Sequence, residues 1–299
     1  MRILILSRRR SLYSTRRLVE TARGMGHAIR AVDPLDCYLH LGRRSPSIYF
    51  RDAMHPLRNY DVVIPRIGAS ITEYGLAVVN QFDMMGVPLI NNSQPIARSR
   101  DKLRSLQLLT RHDVDIPRTV IARNPGQIQS AIKKVGGLPV VLKLIRETQG
   151  IGVMLAEKTE QVESIIETVW NLGQDILIQE FVKESEGRDI RALVVGDRVV
   201  AAMRREARVG EFRANIHRGA GATAMKLPPA YERAALMAAR VVGLQLAGVD
   251  LLESRHGPKV LEINSSPGFE GLETATGIDV ARTVIEYAVT FAEAHPRNA

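Results

Sequence analysis

Cysteine is almost missing from this sequence: Cys37 is the single thiol in 299 residues. An internal disulfide is thereby excluded, and the chain reads as one of a reducing, cytoplasmic compartment. Aromatic residues make up only 5% and are not interleaved with the basic ones. That argues against a single-strand stacking platform and against direct nucleic-acid binding. No apolar run approaches the roughly 20 residues of a membrane span, so no membrane partner is expected. The opening MRILILSRRR has too short an apolar segment for a signal peptide, closed off by Arg8, Arg9 and Arg10. Three catalytic signatures are also missing. No G-x-G-x-x-G follows the first apolar strand, no G-K-[ST] occurs, and no G-x-S-x-G elbow is found. Cys37 has no candidate base, and His217 has no Cys or His at ligand spacing. Neither a protein nucleophile nor a zinc site is expected.

What is present is an ordinary globular composition, 45% hydrophobic and 24% charged, long enough for two or three lobes. The formal net charge of +9 favours polyanionic partners, although a solvated arginine-rich surface explains it equally well.

The first third alternates. MRILILS, HAIRAVDP, YDVVIPRIG and VPLIN read as strands. A helix capped by Ser14 runs to Gly24 or Gly26, and another covers ITEYGLAVVNQFDMMG. Strand–helix–strand order predicts a parallel sheet with helices on its faces, closing near Asn92. Beyond Ser93 a single helix is expected over SQPIARSRDKLRSLQLLTRHDV. Strands then follow at IPRTVIA, PVVLKLI, GVMLAEK, DILIQEFV, DIRALVVGD and RVVAAMRR, with helices over GQIQSAIKKVG and EQVESIIETVWNLG. A long helix covers AYERAALMAARVVGLQ, GVDLLES and PKVLEINSS form a hairpin across RHG, and a last helix starts near Asp279.

Several polar residues interrupt these apolar strands. Glu262 and Asn264 are two apart in VLEIN and therefore share a strand face. Asp250 lies on the preceding strand, and the turn between can bring it beside Glu262. The trio offers oxygen ligands for a hard divalent cation, or else is the solvated end of a hairpin. Lys143 sits inside the core-like run PVVLKLI and calls for an anionic partner. The stretch TQGIGV follows at 148–153, a glycine loop able to approach phosphate, though turns use such loops as well. Glu180, Phe181 and Val182 could offer backbone groups to a flat base. Asp189 and Arg191 share a face, either to meet ribose and phosphate or to form a cross-strand ion pair. The polar stretch EFRANIHRGA reads as a binding loop.

Taken together, LSR…LYSTRRL, VIPRIG, ARSRDKLRSLQLL, VVLKL…TQGIGV, IQEFVKES…GRDIRALVVGD, EFRANIHRGA, AGVDLL and LEINSSPGFEGLE resemble the ATP-grasp superfamily. The similarity is greatest to its RimK-type branch of ribosomal-protein glutamate ligases. The resemblance implies an α/β fold: a preATP-grasp parallel-sheet domain at 1–95, then two ATP-grasp lobes of α+β type at 96–182 and 183–299. It implies ATP and two Mg²⁺ or Mn²⁺ ions. By resemblance, Lys102 and Lys143 contact the ATP phosphates, and the loop with Thr148, Gln149, Gly150 and Gly152 closes over them. Glu180, Phe181 and Val182 form the adenine hinge, and Asp189 binds ribose. Arg213, Ala214 and Asn215 lie near the phosphates, with Arg191, Arg213 and Asn215 in the catalytic role. Asp250, Glu262 and Asn264 hold the metals, Glu262 bridging them. Relatives carry an acid–Gly pair before TQGIG, where this chain has Arg146 and Glu147.

The activity implied is ATP-dependent ligation of L-glutamate to the C-terminal carboxylate of a small-subunit ribosomal protein through an acyl-phosphate. A homo-oligomer, dimer or tetramer, is implied as well. An amino-acid carrier protein or a small metabolite as acceptor, or a non-catalytic nucleotide-binding regulator, are the alternatives.

Overall fold

The computed structural model describes residues 1–43, 46–145, 152–208 and 221–296. The chain begins with β1 (Arg2–Ser7), α1 (Tyr13–Gly24), β2 (Ala28–Val32), β3 (Cys37–His40), β4 (Ser47–Phe50), β5 (Val62–Arg66) and α2 (Thr72–Met84). Strands β2, β1 and β5 pair in parallel in that order. Ile3, Leu4, Ile5 and Leu6 are all fully buried, as an unbroken apolar run requires when both faces are covered. Leu4 and Leu6 pack with Val78 and Phe82 of α2, whereas Ile3 and Ile5 pack with Leu18 of α1 on the opposite face.

Three details depart from the sequence expectation. Leu12, not Ser14, precedes α1, and it makes no side-chain cap. Ser14 lies inside the first turn, where its hydroxyl accepts from the Phe269 backbone N–H at 3.4 Å. VPLIN contributes only one parallel bridge, Leu89 to Val63. The antiparallel pair β3–β4 was not expected.

The helix expected after Ser93 is two: α3 (Ser93–Arg100) and α4 (Lys102–Arg111). Asp101 divides them, because its extended backbone ends the first and its carboxylate accepts from Arg104 N–H at 3.0 Å to cap the second. Next come β6 (Thr119–Ile121), α5 (Ile128–Lys134), β7 (Val140–Leu144), β8 (Val153–Ala156), α6 (Thr159–Asn171) and β9 (Ile176–Glu180). The strands form an antiparallel sheet in the order β6-β9-β7-β8. Ile128 and Ile132 of α5 and Val162 and Ile166 of α6 close one face over Val140, Leu142 and Ile178.

The last part holds β10 (Arg188–Val195), β11 (Arg198–Glu206), β12 (Gly221–Ala224), α7 (Pro229–Val242), β13 (Leu246–Ser254), β14 (Gly257–Asn264), α8 (Glu270–Thr276) and α9 (Val280–Ala294). Its five strands are antiparallel in the order β12-β11-β10-β13-β14. Ala235, Ala238 and Ala239 let α7 lie close on Ala192, Val194, Val249 and Leu251. The helix ends at Gly243, whose φ of +90° takes the left-handed cap conformation. On the other face Leu193, Val195, Ala201 and Met203 join Val284, Ile285 and Ala288 of α9 and the Ile3, Ile5 and Leu18 side of β1 and α1 in one core. Asp279 caps α9, accepting from Arg282 N–H at 2.9 Å. Among the described residues no helix is long and apolar enough to cross a membrane.

Candidate active site

The face of the five-stranded sheet turned away from α7 changes character along β10. Leu193 and Val195 are buried in the shared core, and Arg191 and Asp189, two and four residues earlier, continue the same face as charge. Register then fixes the neighbours. Asp189 lies opposite Arg205, Arg191 opposite Asp250, Asp250 opposite Glu262, and Gly248 opposite Asn264. Directly paired residues share a face, so the hairpin expected from sequence does bring Asp250, Glu262 and Asn264 to one surface.

Asp189 and Arg191 do enter cross-strand ion pairs, each with a different partner. Arg205 Nε and Nη2 donate to Asp189 Oδ1 and Oδ2, both at 2.6 Å. Arg191 Nε and Nη2 donate to Asp250 Oδ1 and Oδ2, both at 2.7 Å. Arg205 Nη2 also reaches Asp250 Oδ2 at 2.9 Å, joining the pairs into a chain. Asp189, Arg205 and Asp250 are 7%, 2% and 3% exposed, so the pairing is not a surface ornament. Removing one member strands a buried charge, which costs about 3–5 kcal/mol. Burial holds the Asp189 carboxyl above the usual range against Arg205, and the Asp250 charge adds to this. For Asp250 burial acts the same way, but Arg191 and Arg205 outweigh it and hold the carboxyl below the usual range. Arg205 was not singled out in the sequence. Its signal is the doublet Arg204–Arg205 closing an apolar strand, which becomes legible only with the register.

Across from this face stands Lys143 on β7, half-buried. Burial pulls its ammonium down to about 8, with Lys102 adding to the fall and Glu262, Asp250 and Asp189 opposing it. The lysine of the four-stranded sheet is thus within electrostatic reach of the carboxylates of the five-stranded one. Lys102, at the start of α4, donates to the Leu144 carbonyl at 2.8 Å, so both lysines converge on the end of β7. Gly152 follows with φ +70°, and a Cβ there would lie 2.6 Å from Leu144 Cδ1. Only glycine fits that close turn into β8.

At the end of β9, Glu180 accepts from Arg118 N, Nε and Nη2 at 3.0, 3.2 and 3.1 Å. Lys259 Nζ lies 3.6 Å from it. Burial opposes ionisation of Glu180, but the Arg118 hydrogen bonds prevail and hold its carboxyl low. The Glu180 N–H donates to the Arg118 carbonyl at 2.8 Å and the Val182 carbonyl accepts from Ser185 N–H at 3.0 Å, which leaves the backbone of half-buried Phe181 and the N–H of buried Val182 to offer. Thr148, Gln149 and Gly150, and Arg213, Ala214 and Asn215, lie outside the described residues.

Residues 1–96 match the family model of the RimK PreATP-grasp domain, and residues 99–288 that of the RimK-like ATP-grasp domain. The chain belongs to the RimK-like ATP-grasp family. As such it is an ATP-dependent carboxylate–amine ligase with an ATP-binding fold. The "Probable alpha-L-glutamate ligase 2" of Pseudoalteromonas atlantica is 52% identical over 298 residues, covering 100% of this chain and 98% of its own. The "Probable alpha-L-glutamate ligase 1" of Shewanella denitrificans is 54% identical over 287 residues, covering 96% and 97%. Among solved structures, the ATP-grasp ligase PsnB with minimal precursor, Mg and ADP superposes with a TM-score of 0.76 at 19% identity, covering 97% of each chain. The macrocyclase MdnC of Microcystis aeruginosa, bound to its precursor peptide MdnA, gives 0.73 at 17% identity, covering 97% of this chain and 100% of that one. At such identities the structures show a shared fold.

The carboxylate face of this ATP-grasp chain fits a divalent cation by its donor count. A carboxylate has about four lone-pair positions. Arginines take one on Asp250 Oδ1 and two on Oδ2, which leaves one on Oδ1. Asn264 Oδ1 accepts once, from Ser266 N–H at 2.9 Å. Glu262 is exposed and takes no hydrogen bond or ion pair among the described residues. Oxygen donors from two carboxylates and an amide suit Mg²⁺, which completes its shell from water and substrate phosphates. No group of three His, Cys, Asp or Glu stands together among the described residues.

Proposed function

We propose that the protein attaches L-glutamate to the C-terminal carboxylate of a small-subunit ribosomal protein, through an acyl-phosphate formed from ATP. The observation that carries the ligase site is that Lys102 and Lys143 converge on the end of β7, within electrostatic reach of the carboxylates of Asp250 and Glu262, which share one sheet face with the amide of Asn264. A nucleotide triphosphate needs cations on one side and metal-binding oxygens on the other. Glutamate as donor is supported by the names of relatives sharing about half of all residues over the full chain. Peptides bound to PsnB and MdnC support a polypeptide as acceptor, and a chain of net charge +9 would attract an acidic tail. The proposed units are 1–95, 96–182 and 183–299, working as a dimer or tetramer in the cytoplasm.

In this reading the acceptor carboxylate oxygen attacks the γ-phosphorus and ADP departs. The donor amine then attacks the carbonyl, loses a proton and expels phosphate. Lys102 and Lys143 hold the phosphates, and the backbone of Glu180 to Val182 receives the base. Asp189 receives the ribose only by sharing its oxygens with Arg205. Arg191, fixed by Asp250, presents the rest of its guanidinium to the transferring group, with Arg213 and Asn215 assigned beside it. Thr148, Gln149, Gly150, Gly152 and Ala214 are assigned to closing the phosphate site. Two Mg²⁺ or Mn²⁺ ions held by Asp250, Glu262 and Asn264 would neutralise charge on the phosphates.

Incubation with ATP, Mg²⁺, glutamate and candidate acceptors, read by intact mass, tests the proposal. Additions of successive glutamyl masses to the ribosomal protein are expected. Transfer only to a carrier protein or metabolite would reassign the acceptor, and no glutamate-dependent ADP release would reject the reaction. Glu262→Gln keeps the size and removes the charge, so it should abolish turnover with an unchanged melting temperature. Wild-type turnover in that variant would sink the metal assignment.

A further inference from the structure

Two partly buried arginines near the carboxylate face lack the counter-ions that Arg191 and Arg205 have. Arg66 ends β5 and Arg100 ends α3. Arg66 Nη2 donates to the Pro267 carbonyl at 2.6 Å, and Arg100 Nη2 donates to the Ile67 carbonyl. Neither makes an ion pair among the described residues. Among the described residues Arg66 Nη1 and Arg100 Nε are buried without a hydrogen-bond partner, and so are the hydroxyls of Ser265 and Ser266. The two guanidiniums feel each other: burial draws Arg66 down to about 10, and the Arg100 charge pushes the same way. Arg100 is also lowered by burial, against the opposing pull of Glu262.

Two like charges half out of water, each with an unpartnered guanidinium nitrogen and accompanied by two unpartnered serine hydroxyls, are costly unless an anion completes the site. The surroundings are built and fixed. Asn91, 1% exposed, donates to the Leu246 and Ser265 carbonyls at 2.8 and 3.1 Å. Gly248 admits Pro267 so closely that a Cβ there would lie 2.8 Å from the proline Cβ. The turn 265–267 is thereby held against the N-terminal sheet, directly after Asn264 and beside Glu262. The anion site thus adjoins Asn264 through the turn 265–267, whereas Lys102 reaches the Leu144 carbonyl of the four-stranded sheet and is assigned with Lys143 to the nucleotide.

We propose that Arg66 and Arg100, with the hydroxyls of Ser265 and Ser266, form a subsite for a carboxylate of the amine-donating amino acid. The forked guanidinium matches a carboxylate in a way that a lysine would not. Both arginines are only partly exposed, which admits a small anion rather than a length of polypeptide and so favours donor over acceptor. Either the α- or the side-chain carboxylate supplies this chemistry. The inference rests on the ligase reading above.

Steady-state kinetics of Arg100→Met and Arg66→Lys test it. The KM for L-glutamate should rise by about 10- to 100-fold, the loss of charged hydrogen bonds, with the KM values for ATP and acceptor and the melting temperature little changed. An unchanged KM for glutamate, or a rise confined to the acceptor, overturns the assignment. With the wild-type enzyme, L-glutamine and glutamic acid α-amide serve as alternative donors. A drop of tenfold or more in kcat/KM for one of them identifies the carboxylate held, and two donors as good as glutamate overturn the subsite. Should the wild type transfer no glutamate, the ligase reading has failed. The subsite is then judged by calorimetric binding of L-glutamate to enzyme saturated with Mg²⁺ and a non-hydrolysable ATP analogue. Binding lost in Arg100→Met supports it; binding absent, or equal in both, rejects it.

Discussion

At Lys143, burial and the neighbouring Lys102 favour the neutral amine, and the Glu262, Asp250 and Asp189 charges only partly compensate, leaving the group at about 8. An unfolded lysine titrates near 10.4, so the folded value is depressed. Below about 8 the ammonium is charged in both states and folding bears the full cost of burying it. As pH rises from about 8 towards 10.4 that cost disappears. The proposed function runs the other way, because a lysine assigned to phosphate needs the charged form. ADP affinity, titrated calorimetrically without metal, should weaken as pH rises through about 8. In Lys143→Met the affinity should be lower and this step absent. An identical slope in that variant would refute the lysine as its source. The site residues on strands were legible in the sequence because each is a polar interruption of an apolar run: Lys143, Asp250 and Glu262 are conspicuous in PVVLKLI, GVDLL and VLEIN. Arg205, Arg66 and Arg100 were not, since an arginine at a strand or helix end is ordinary until its neighbours are known. Arg205 meets Asp189 only through the β10–β11 register, and Arg66 meets Arg100 only through the fold.

Among the elements, the joint between α3 and α4 shows what periodicity hides. The apolar spacing of 93–114 continues across Asp101, so the pattern reads as one helix. The break is a local competition in which the Asp101 carboxylate caps α4 through Arg104 N–H. Arg100 and Lys102 flank the joint and reach different parts of the fold, the Ile67 and Leu144 carbonyls. Asp101→Ala should cost about 1 kcal/mol, as lost N-caps do, and should also weaken ADP binding by misplacing Lys102. Thermal denaturation and nucleotide titration check the two effects. Lost stability with native ADP affinity would show that the joint does not position Lys102. Strands with continuous apolar runs, such as Arg2–Ser7 and Val62–Arg66, were plain from sequence. The four-residue pair β3–β4, with exposed Tyr38, was too short and too polar at its ends to stand out.

On the scale of the molecule, the cores do not follow the boundaries drawn along the chain. One cluster joins Ile3, Ile5 and Leu18 from the first strand and helix to Leu193 and Met203 from the five-stranded sheet and to Ile285 and Ala288 from the last helix. Tyr13 and Arg17 of α1 reinforce it, donating to Glu273 at 2.6 and 3.2 Å. Ile285→Ala, at a fully buried position, should cost about 2–5 kcal/mol. It should loosen residues 1–96 together with the C-terminal part, giving one melting transition at lower temperature and new proteolytic cuts in both. Cuts confined to residues 183–296 would contradict a shared core. Sequence patterns revealed the buried faces of these elements but not their partners, because apolar periodicity identifies a face without naming what covers it.

The same cluster has a consequence for biosynthesis. Strand Arg2–Ser7 buries Ile3 and Ile5 against a helix that is made much later and ends at Ala294. At about 5–20 residues per second, that inner surface waits on the order of tens of seconds for its cover to emerge from the ribosome. The N-terminal sheet can pair early, but its final packing waits for α9, and until then its open apolar face is a surface for a chaperone to shield.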